Sequence, residues 1–293
     1  MGISKHPSIV TMPESKKPYP SILAFLCKRF PAISAEMWEN RMSEGKVLDE
    51  RGHEITRDTL YAPQGRIFYF REVISEPVIP FAEEILHIDD EILVACKPHF
   101  LPVTPGGKYV DECLLNRLRR STGIEDLAPL HRIDRETAGI ALFSVNKKSR
   151  GRYGSLFMNG QVEKTYQALS ACPSTRETAS WHIENRIERG KPWFLMHTTP
   201  GRANARSAIH LAEIKGDRAR FILHPLTGKT HQLRVHMSGI GFGILNDRYY
   251  PELQDEREDD FDTPLQLVAQ RLRFKDPLTG TTREFTSGRK LLW

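Results

Sequence analysis

His131-Arg132-Ile133-Asp134-Arg135-Glu136-Thr137-Ala138-Gly139 runs directly into Ile140-Ala141-Leu142-Phe143-Ser144-Val145. The second half is a mostly apolar run with the length of a buried strand, and the first half is a charged loop that closes on glycine. A strand end is a rigid platform, so a residue on such a loop can be held accurately. Asp134 lies between the guanidinium groups of Arg132 and Arg135, which favour an ionised carboxylate and offer positive charge to a polyanion. On charge alone, a surface salt-bridge loop accounts for these residues at least as well as a catalytic one.

Outward from this stretch the chain reads as short strands with few helices. Downstream, residues 147–159 predict a basic helix stopped by Gly160, and strands are expected at 161–169, 181–187, 208–214 and 218–224. Upstream, 85–88 and 91–96 read as paired strands around Asp89-Asp90, followed by the turn-rich Lys97-Pro98 and Pro105-Gly106-Gly107 and a helix over 111–122. Without a βαβ rhythm, this order predicts an α+β domain over 85–293, with a mixed, mainly antiparallel central sheet and flanking helices. Residues 74–81, with Pro77 and Pro80, read as a linker. Before it, 21–73 predicts a small domain: a helix over 21–30, a second capped by Ser34 and ending at Gly45, then strands at 47–48, 59–62 and 66–71. Residues 1–20, punctuated by Pro7, Pro13, Pro18 and Pro20, read as a flexible tail.

The composition bounds the class. With 293 residues, 39% hydrophobic and 27% charged, the chain can bury a sizeable core and is neither collagen-like nor wholly disordered. No window is apolar for long enough to span a membrane, and residues 1–20 lack an export signal, so a cytoplasmic location is expected. Cys27, Cys96, Cys113 and Cys172 form no C-x-x-C pair, which argues against a zinc site or a disulfide framework and for reduced, buried thiols. The net charge is +5, but residues 1–90 hold 11 Lys and Arg against 14 Asp and Glu, so the cationic surface belongs to the longer C-terminal part. There, Glu252, Asp255, Glu256, Glu258, Asp259, Asp260 and Asp262 form an acidic island that reads as a solvated loop.

A second segment, Thr227-Gly228-Lys229-Thr230-His231-Gln232-Leu233-Arg234-Val235-His236, follows the strand at 218–224. Gly228-Lys229-Thr230 invites a phosphate-loop reading, but that pattern needs glycine where Leu223 stands. Thr230 is a candidate cap for a short helix that Gly239 ends, which puts Arg234 on its first turns. His231 and His236, five apart, diverge by about 140° on a helix and would not share a metal ion.

Together these segments resemble a known family. His131 to Gly139 is similar to the H-R-L-D-R-x-T-S-G motif of the RluA-type pseudouridine synthases, and Thr227 to His236 to their T-G-R-T-H-Q-I-R-V-H segment. Lys97-Pro98 with Leu101 and Val103 resembles their K-P-x-x-L-x-V motif, and Lys164-Thr165-Tyr166 their K-x-Y motif. Ala138 replaces the usual Ser, Lys229 the usual Arg, and Gly243-Ile244-Leu245-Asn246-Asp247 stands where P-I-L-G-D is common. The small domain is similar in layout to an S-four-type RNA-binding domain, with Arg41, Gly45, Lys46 and Val47 at its second helix and following strand. Its net negative charge points as much to a degenerate domain as to a working one.

The resemblance implies an RNA pseudouridine synthase that isomerises uridine in ribosomal or transfer RNA, with no cofactor and no metal; a monomer is expected because the sequence shows no heptad or long apolar stripe that would offer a partner surface. Asp134 would be the catalytic carboxylate, Arg234 its bidentate guanidinium partner, and Tyr166 the aromatic that stacks on the target base. Arg135 would enter the space left by the flipped base, with Arg132, Lys164, Lys229 and His231 as further RNA-binding residues. The alternative is a noncatalytic RNA-binding protein that keeps the fold, and a metal-dependent hydrolase built on His131, Asp134 and His231 is a third reading.

Overall fold

The computed structural model describes residues 2–3, 7–15, 17–31, 33–73, 75–171 and 179–293. The chain divides into two units, residues 1–77 with 106–111 and residues 78–105 with 112–293.

The first unit holds β1 (Gly2–Ile3), β2 (Ser8–Thr11), α1 (Ile22–Arg29), α2 (Ala35–Ser43), β3 (Val47–Leu48), β4 (Arg66–Tyr69) and β5 (Glu72–Val73). The hydroxyls of Ser21 and Ser34 accept the backbone N–H of Ala24 and Met37, each at 3.2 Å, and so begin the two helices. Their apolar residues Phe25, Leu26, Trp38 and Met42 pack with Val47, Ile67 and Tyr69. Two expectations are corrected here. Residues 8–11 are a strand paired with β4, not part of a tail; prolines obscure the short pattern, and its ladder partner is distant in sequence. Residues 59–62 are a loop rather than a strand, in which Tyr61 packs against Tyr19 and Phe25. Arg41 is buried beside Glu72 and over the Trp38 ring, and Lys46 binds the carboxylates of Glu44 and Glu72.

The second unit runs β6 (Glu84–Ile88), β7 (Ile92–Lys97), α3 (Leu114–Thr122), β8 (Ala128–Pro129), β9 (Ala138–Ser144), α4 (Arg150–Met158), β10 (Val162–Ala171), β11 (Ser180–Arg189), β12 (Met196–Thr199), β13 (Ala205–Lys215), β14 (Arg218–Pro225), α5 (Gln232–Gly239), β15 (Leu267–Lys275) and β16 (Thr282–Thr286). Eleven strands form one sheet in the order β12-β11-β13-β14-β10-β15-β9-β7-β6, with β16 beside β15 and β8 beside β9. Every pairing is antiparallel except β15 with β9, so the α+β reading with a mixed, mainly antiparallel sheet holds. β7 and β9 are buried at every position, as their apolar runs require. Tyr153 and Leu156 of α4 cover one side of them, while Leu233 and Met237 of α5 pack on Leu211, Phe221 and Leu223 farther along the sheet.

Helices α3 and α4 start three residues later than expected, which leaves Lys147 and Lys148 exposed in a turn before α4. Cys96 and Cys113 are buried, Cys96 with its Sγ 3.0 Å from the Ser287 hydroxyl, and Cys27 is half-buried; Cys172 lies outside the described residues. Among the described residues, no helix is long and apolar enough to cross a membrane.

Candidate active site

The site begins as a row across the sheet. Lys97 of β7 pairs with Gly139 of β9, Gly139 with Ala269 of β15, and Ala269 with Tyr166 of β10. Gly139 has φ of +112°, and a Cβ there would lie 2.2 Å from the Ala269 carbonyl oxygen, so no other residue fits the parallel junction. The β10–β15 register shifts between Thr165 and Tyr166, a bulge that re-aims the tyrosine.

The loop carrying Asp134 is fastened to this row. Lys97 Nζ is fully buried and donates to the carbonyls of Pro98 (3.0 Å), Leu101 (2.6 Å) and Arg135 (2.9 Å). Burial draws this amine down to about 7, against the charges of Glu136 and Asp134, which raise it. His99 Nδ1 donates to the Glu136 carbonyl at 2.6 Å, and the Asp134 carbonyl accepts the Thr137 N–H at 3.2 Å. His131 is structural: its ring stacks on Phe157 at 4.7 Å, and its Nε2 accepts the Leu142 N–H at 3.1 Å. Burial, helped by the charge of Lys164, pulls this imidazole down to about 3, so it is neutral at pH 7.

Arg234 arrives from α5. Thr230 is not the cap; His231 occupies that position with φ of +52°, and the Gln232 side chain accepts the Lys229 N–H at 3.0 Å instead. A left-handed non-glycine residue is costly, and Tyr250 helps to hold this one through a 2.9 Å contact from its hydroxyl to His231 Nδ1. Arg234 is 1% exposed. Its Nε and Nη2 donate to Asp247 at 2.8 and 2.6 Å, and its face lies against the rings of Tyr249 and Tyr250 at 4.7 and 5.5 Å. Burial disfavours the guanidinium, but the hydrogen bonds and charge of Asp247, with Asp134 and Glu136 behind them, raise it above the ordinary arginine value.

The bidentate contact expected between Arg234 and Asp134 is therefore made with Asp247. What remains for Asp134 is Nη1, the one buried nitrogen of Arg234 without a hydrogen bond, which lies 3.7 Å from Asp134 Oδ2 and 3.7 Å from Glu136 Oε2. Asp134 keeps 24% of its side chain exposed, and among the described residues its carboxylate accepts no hydrogen bond. A carboxylate oxygen is thus left accessible, with a fixed cation 3.7 Å away. Tyr166 is half-buried, and burial, with the charge of Asp134 added, raises its hydroxyl above the usual phenol range. An open cleft lined by Gln167, Arg220, Gln270 and Trp293 lies on the other side of β10 from Tyr166.

The other expected RNA contacts divide. Arg132 and Lys229 are exposed, and among the described residues their charged groups have no ion pair. Lys164 Nζ instead donates to the Thr227 carbonyl at 3.2 Å, and His231 contacts Tyr250. Arg135, expected to enter the RNA, is held by Asp259 through Nη1 at 2.7 Å and Nη2 at 2.9 Å. This also corrects the reading of the acidic island as wholly solvated. His231 and His236 have separate partners, Tyr250 and Asn185. Sequence reasoning missed Asp247, Glu136 and Asp259; the Asn246-Asp247 ending of the altered 243–247 segment was the available signal for the first.

Comparison with known proteins identifies the family. Residues 91–239, which hold Lys97, Asp134, Tyr166 and Arg234, match the family model described as RNA pseudouridylate synthase. The chain belongs to that family. A Synechocystis protein named as an uncharacterised RNA pseudouridine synthase is 25% identical over 233 residues, covering 78% of this chain and 79% of its own. The dual-specificity RNA pseudouridine synthase RluA of Pasteurella multocida is 29% identical over 227 residues, covering 73% and 95%. In fold, the solved human RNA pseudouridylate synthase domain containing 1 superposes with a TM-score of 0.58 at 23% identity, covering 73% of this chain and 86% of that one. Within the family the chain is of the RluA type, an RNA pseudouridine synthase and therefore an isomerase.

Proposed function

We propose that the chain converts specific uridines of structured ribosomal or transfer RNA into pseudouridine, with Asp134 as the reacting carboxylate, Arg234 as the cation that orients it, and Tyr166 against the target base. The observation that carries this is the accessible, unbonded Asp134 carboxylate facing the one unsatisfied nitrogen of an arginine that Asp247 immobilises.

The reaction breaks the N1–C1′ bond of uridine, turns the base and forms a C5–C1′ bond. The C5 proton departs and N1 regains one, so composition and oxidation state are unchanged. An ionised carboxylate serves each route, whether it attacks the sugar or base or removes a proton at C2′. Tyr166, kept as a neutral phenol, offers a ring face to the uracil and a hydroxyl near C5. A base inside folded RNA must be flipped out at a cost of a few kcal/mol, and an exposed cation beside the acid can fill the space. Arg132 fits that part better than Arg135, since its guanidinium is exposed and unpaired among the described residues. Lys229, Lys147, Lys148 and Arg152 are exposed cations suited to phosphates. Lys164, bonded to the Thr227 carbonyl, and His231, bonded to Tyr250, act by shaping the pocket wall. The first unit, whose Arg41 and Lys46 face carboxylates, adds little to RNA affinity.

The test is RNA carrying tritium at uridine C5. The wild type should release tritium and Asp134→Ala should not; near wild-type turnover by the variant would remove the assignment of Asp134. Mapping pseudouridines in total RNA from cells with and without the gene identifies the RNA and the uridine.

A further inference from the structure

Two arginines beside the site converge on one carboxylate of the acidic 252–262 segment. Asp259 keeps only 8% of its side chain exposed, while Glu256, Glu258 and Asp260 next to it are in solvent. Arg135 donates to both Asp259 oxygens, and Arg248 Nη1 lies 4.0 Å from Oδ1. Arg248 Nη2 also donates to the Arg257 carbonyl at 2.9 Å, so it fastens the backbone of the same segment. Phe261 seats the segment's end against the rings of Phe81 and Phe100, at 5.6 and 5.2 Å. The acidic stretch is thus a strap with one inward-pointing charge.

The position of that charge matters. Arg135 is the residue after Asp134, and its Nε also donates to Glu136 Oε1 at 3.1 Å. The other oxygen of Glu136 lies 3.7 Å from Arg234 Nη1, the nitrogen that faces Asp134. A carboxylate and a phosphodiester offer a guanidinium the same pair of anionic oxygens, so what Asp259 satisfies here an RNA phosphate can satisfy.

We propose that Arg135 and Arg248 form a phosphate-binding site for the substrate RNA, and that Asp259 occupies it in the RNA-free chain, so that RNA docks by exchanging a backbone phosphate for this carboxylate. The proposal rests on the assignment of the Asp134 pocket as the place that receives RNA. RNA must open the strap before it binds, so the apparent affinity is lowered by the fraction of chains in which the strap is open. An RNA that cannot present a phosphate beside the pocket leaves Asp259 in place and is selected against.

Labelled bulk transfer RNA, titrated into the whole chain over a range of salt, tests the exchange. Asp259→Asn should tighten binding by about tenfold and steepen the dependence on log salt by a little under one, because Arg135 then releases a counterion when it meets phosphate. Glu256→Gln, which removes the same charge from an exposed side chain, should change binding by less than about twofold. In an Arg135→Gln background the gain from Asp259→Asn should vanish. Asp259→Ser is a second variant, and thermal melts report whether each is folded. Equal gains from Asp259→Asn and Glu256→Gln, a gain that survives in the Arg135→Gln background, or weaker binding by Asp259→Asn would overturn the exchange. Wild-type tritium release, measured on the same preparations, separates that outcome from failure of the functional reading. Binding that follows the expected pattern, with no tritium released from either total transfer RNA or total ribosomal RNA, would retire the functional reading and leave the phosphate site standing.

Discussion

Asp247→Asn probes the hidden half of the site. The Asp247 side chain is 0% exposed and that of Arg234 1%, with bonds of 2.6 and 2.8 Å between them, so solvent does not screen the pair. Asparagine keeps the shape but removes the charge and one of two acceptors, leaving a buried guanidinium with partial compensation from Asp134 and Glu136, each at 3.7 Å. Breaking a buried pair from one side costs about 3–5 kcal/mol. For a unit of this size that lowers the melting midpoint by roughly 10 °C. Arg234 is then free to swing its fork onto Asp134, covering the oxygen proposed to react, and tritium release should fall by about a hundredfold or more. The paired change Arg234→Met with Asp247→Leu separates the two consequences. Two apolar side chains replace two charges, so much of the melting temperature should return, while turnover stays lost because Asp134 has no cation. Circular dichroism melts and the tritium assay read these outcomes independently. A single variant that melts within about 2 °C of wild type and turns over normally would refute the claim that Asp247 holds Arg234 for Asp134.

With Tyr166 against the base as proposed, Tyr166→Phe keeps the ring and loses the hydroxyl, so RNA binding should change by less than about threefold while single-turnover tritium release falls by tenfold or more. Gly139→Ala should give little folded protein or a loss of several kcal/mol in denaturant titration, because its Cβ would meet the Ala269 oxygen at 2.2 Å and φ is +112°. His236, 1% exposed and bonded through Nε2 to Asn185 at 3.0 Å, is pulled by burial down to about 4. The folded state thus binds fewer protons than the unfolded state between about pH 4 and 6.5, and stability present above pH 6.5 is lost as pH falls through that window. Each such histidine contributes a slope of up to about 1.4 kcal/mol per pH unit, and urea midpoints at pH 7, 6 and 5 should show His236→Gln losing one proton's share.

Much of this architecture is legible in the amino-acid sequence. The apolar run at 140–145 and the strands at 85–96, 161–169, 181–187 and 208–224 follow from side-chain periodicity, a local property that survives in one dimension. Ser34 as a helix cap, and Gly160 as the stop after α4, follow from equally local chemistry. The strand at 8–11 did not emerge, because its ladder partner is remote and prolines flank it; nor did β15, whose Gln270, Arg271 and Arg273 interrupt the apolar pattern. Yet β15 supplies Ala269, against which Gly139 closes the row that carries the site.

The sequence by itself determined which groups are present and which short segments bear them: Asp134 on a loop at a strand end, Tyr166 on a strand and Arg234 on a short helix. Tertiary structure alone decided how the charges are shared. Arg234 gives its fork to Asp247 and one nitrogen to Asp134, and Arg135 turns to Asp259 while Arg132 faces solvent. Ion pairing depends on distance and burial in space, and residues as far as 124 positions apart acquire either only when the sheet is assembled.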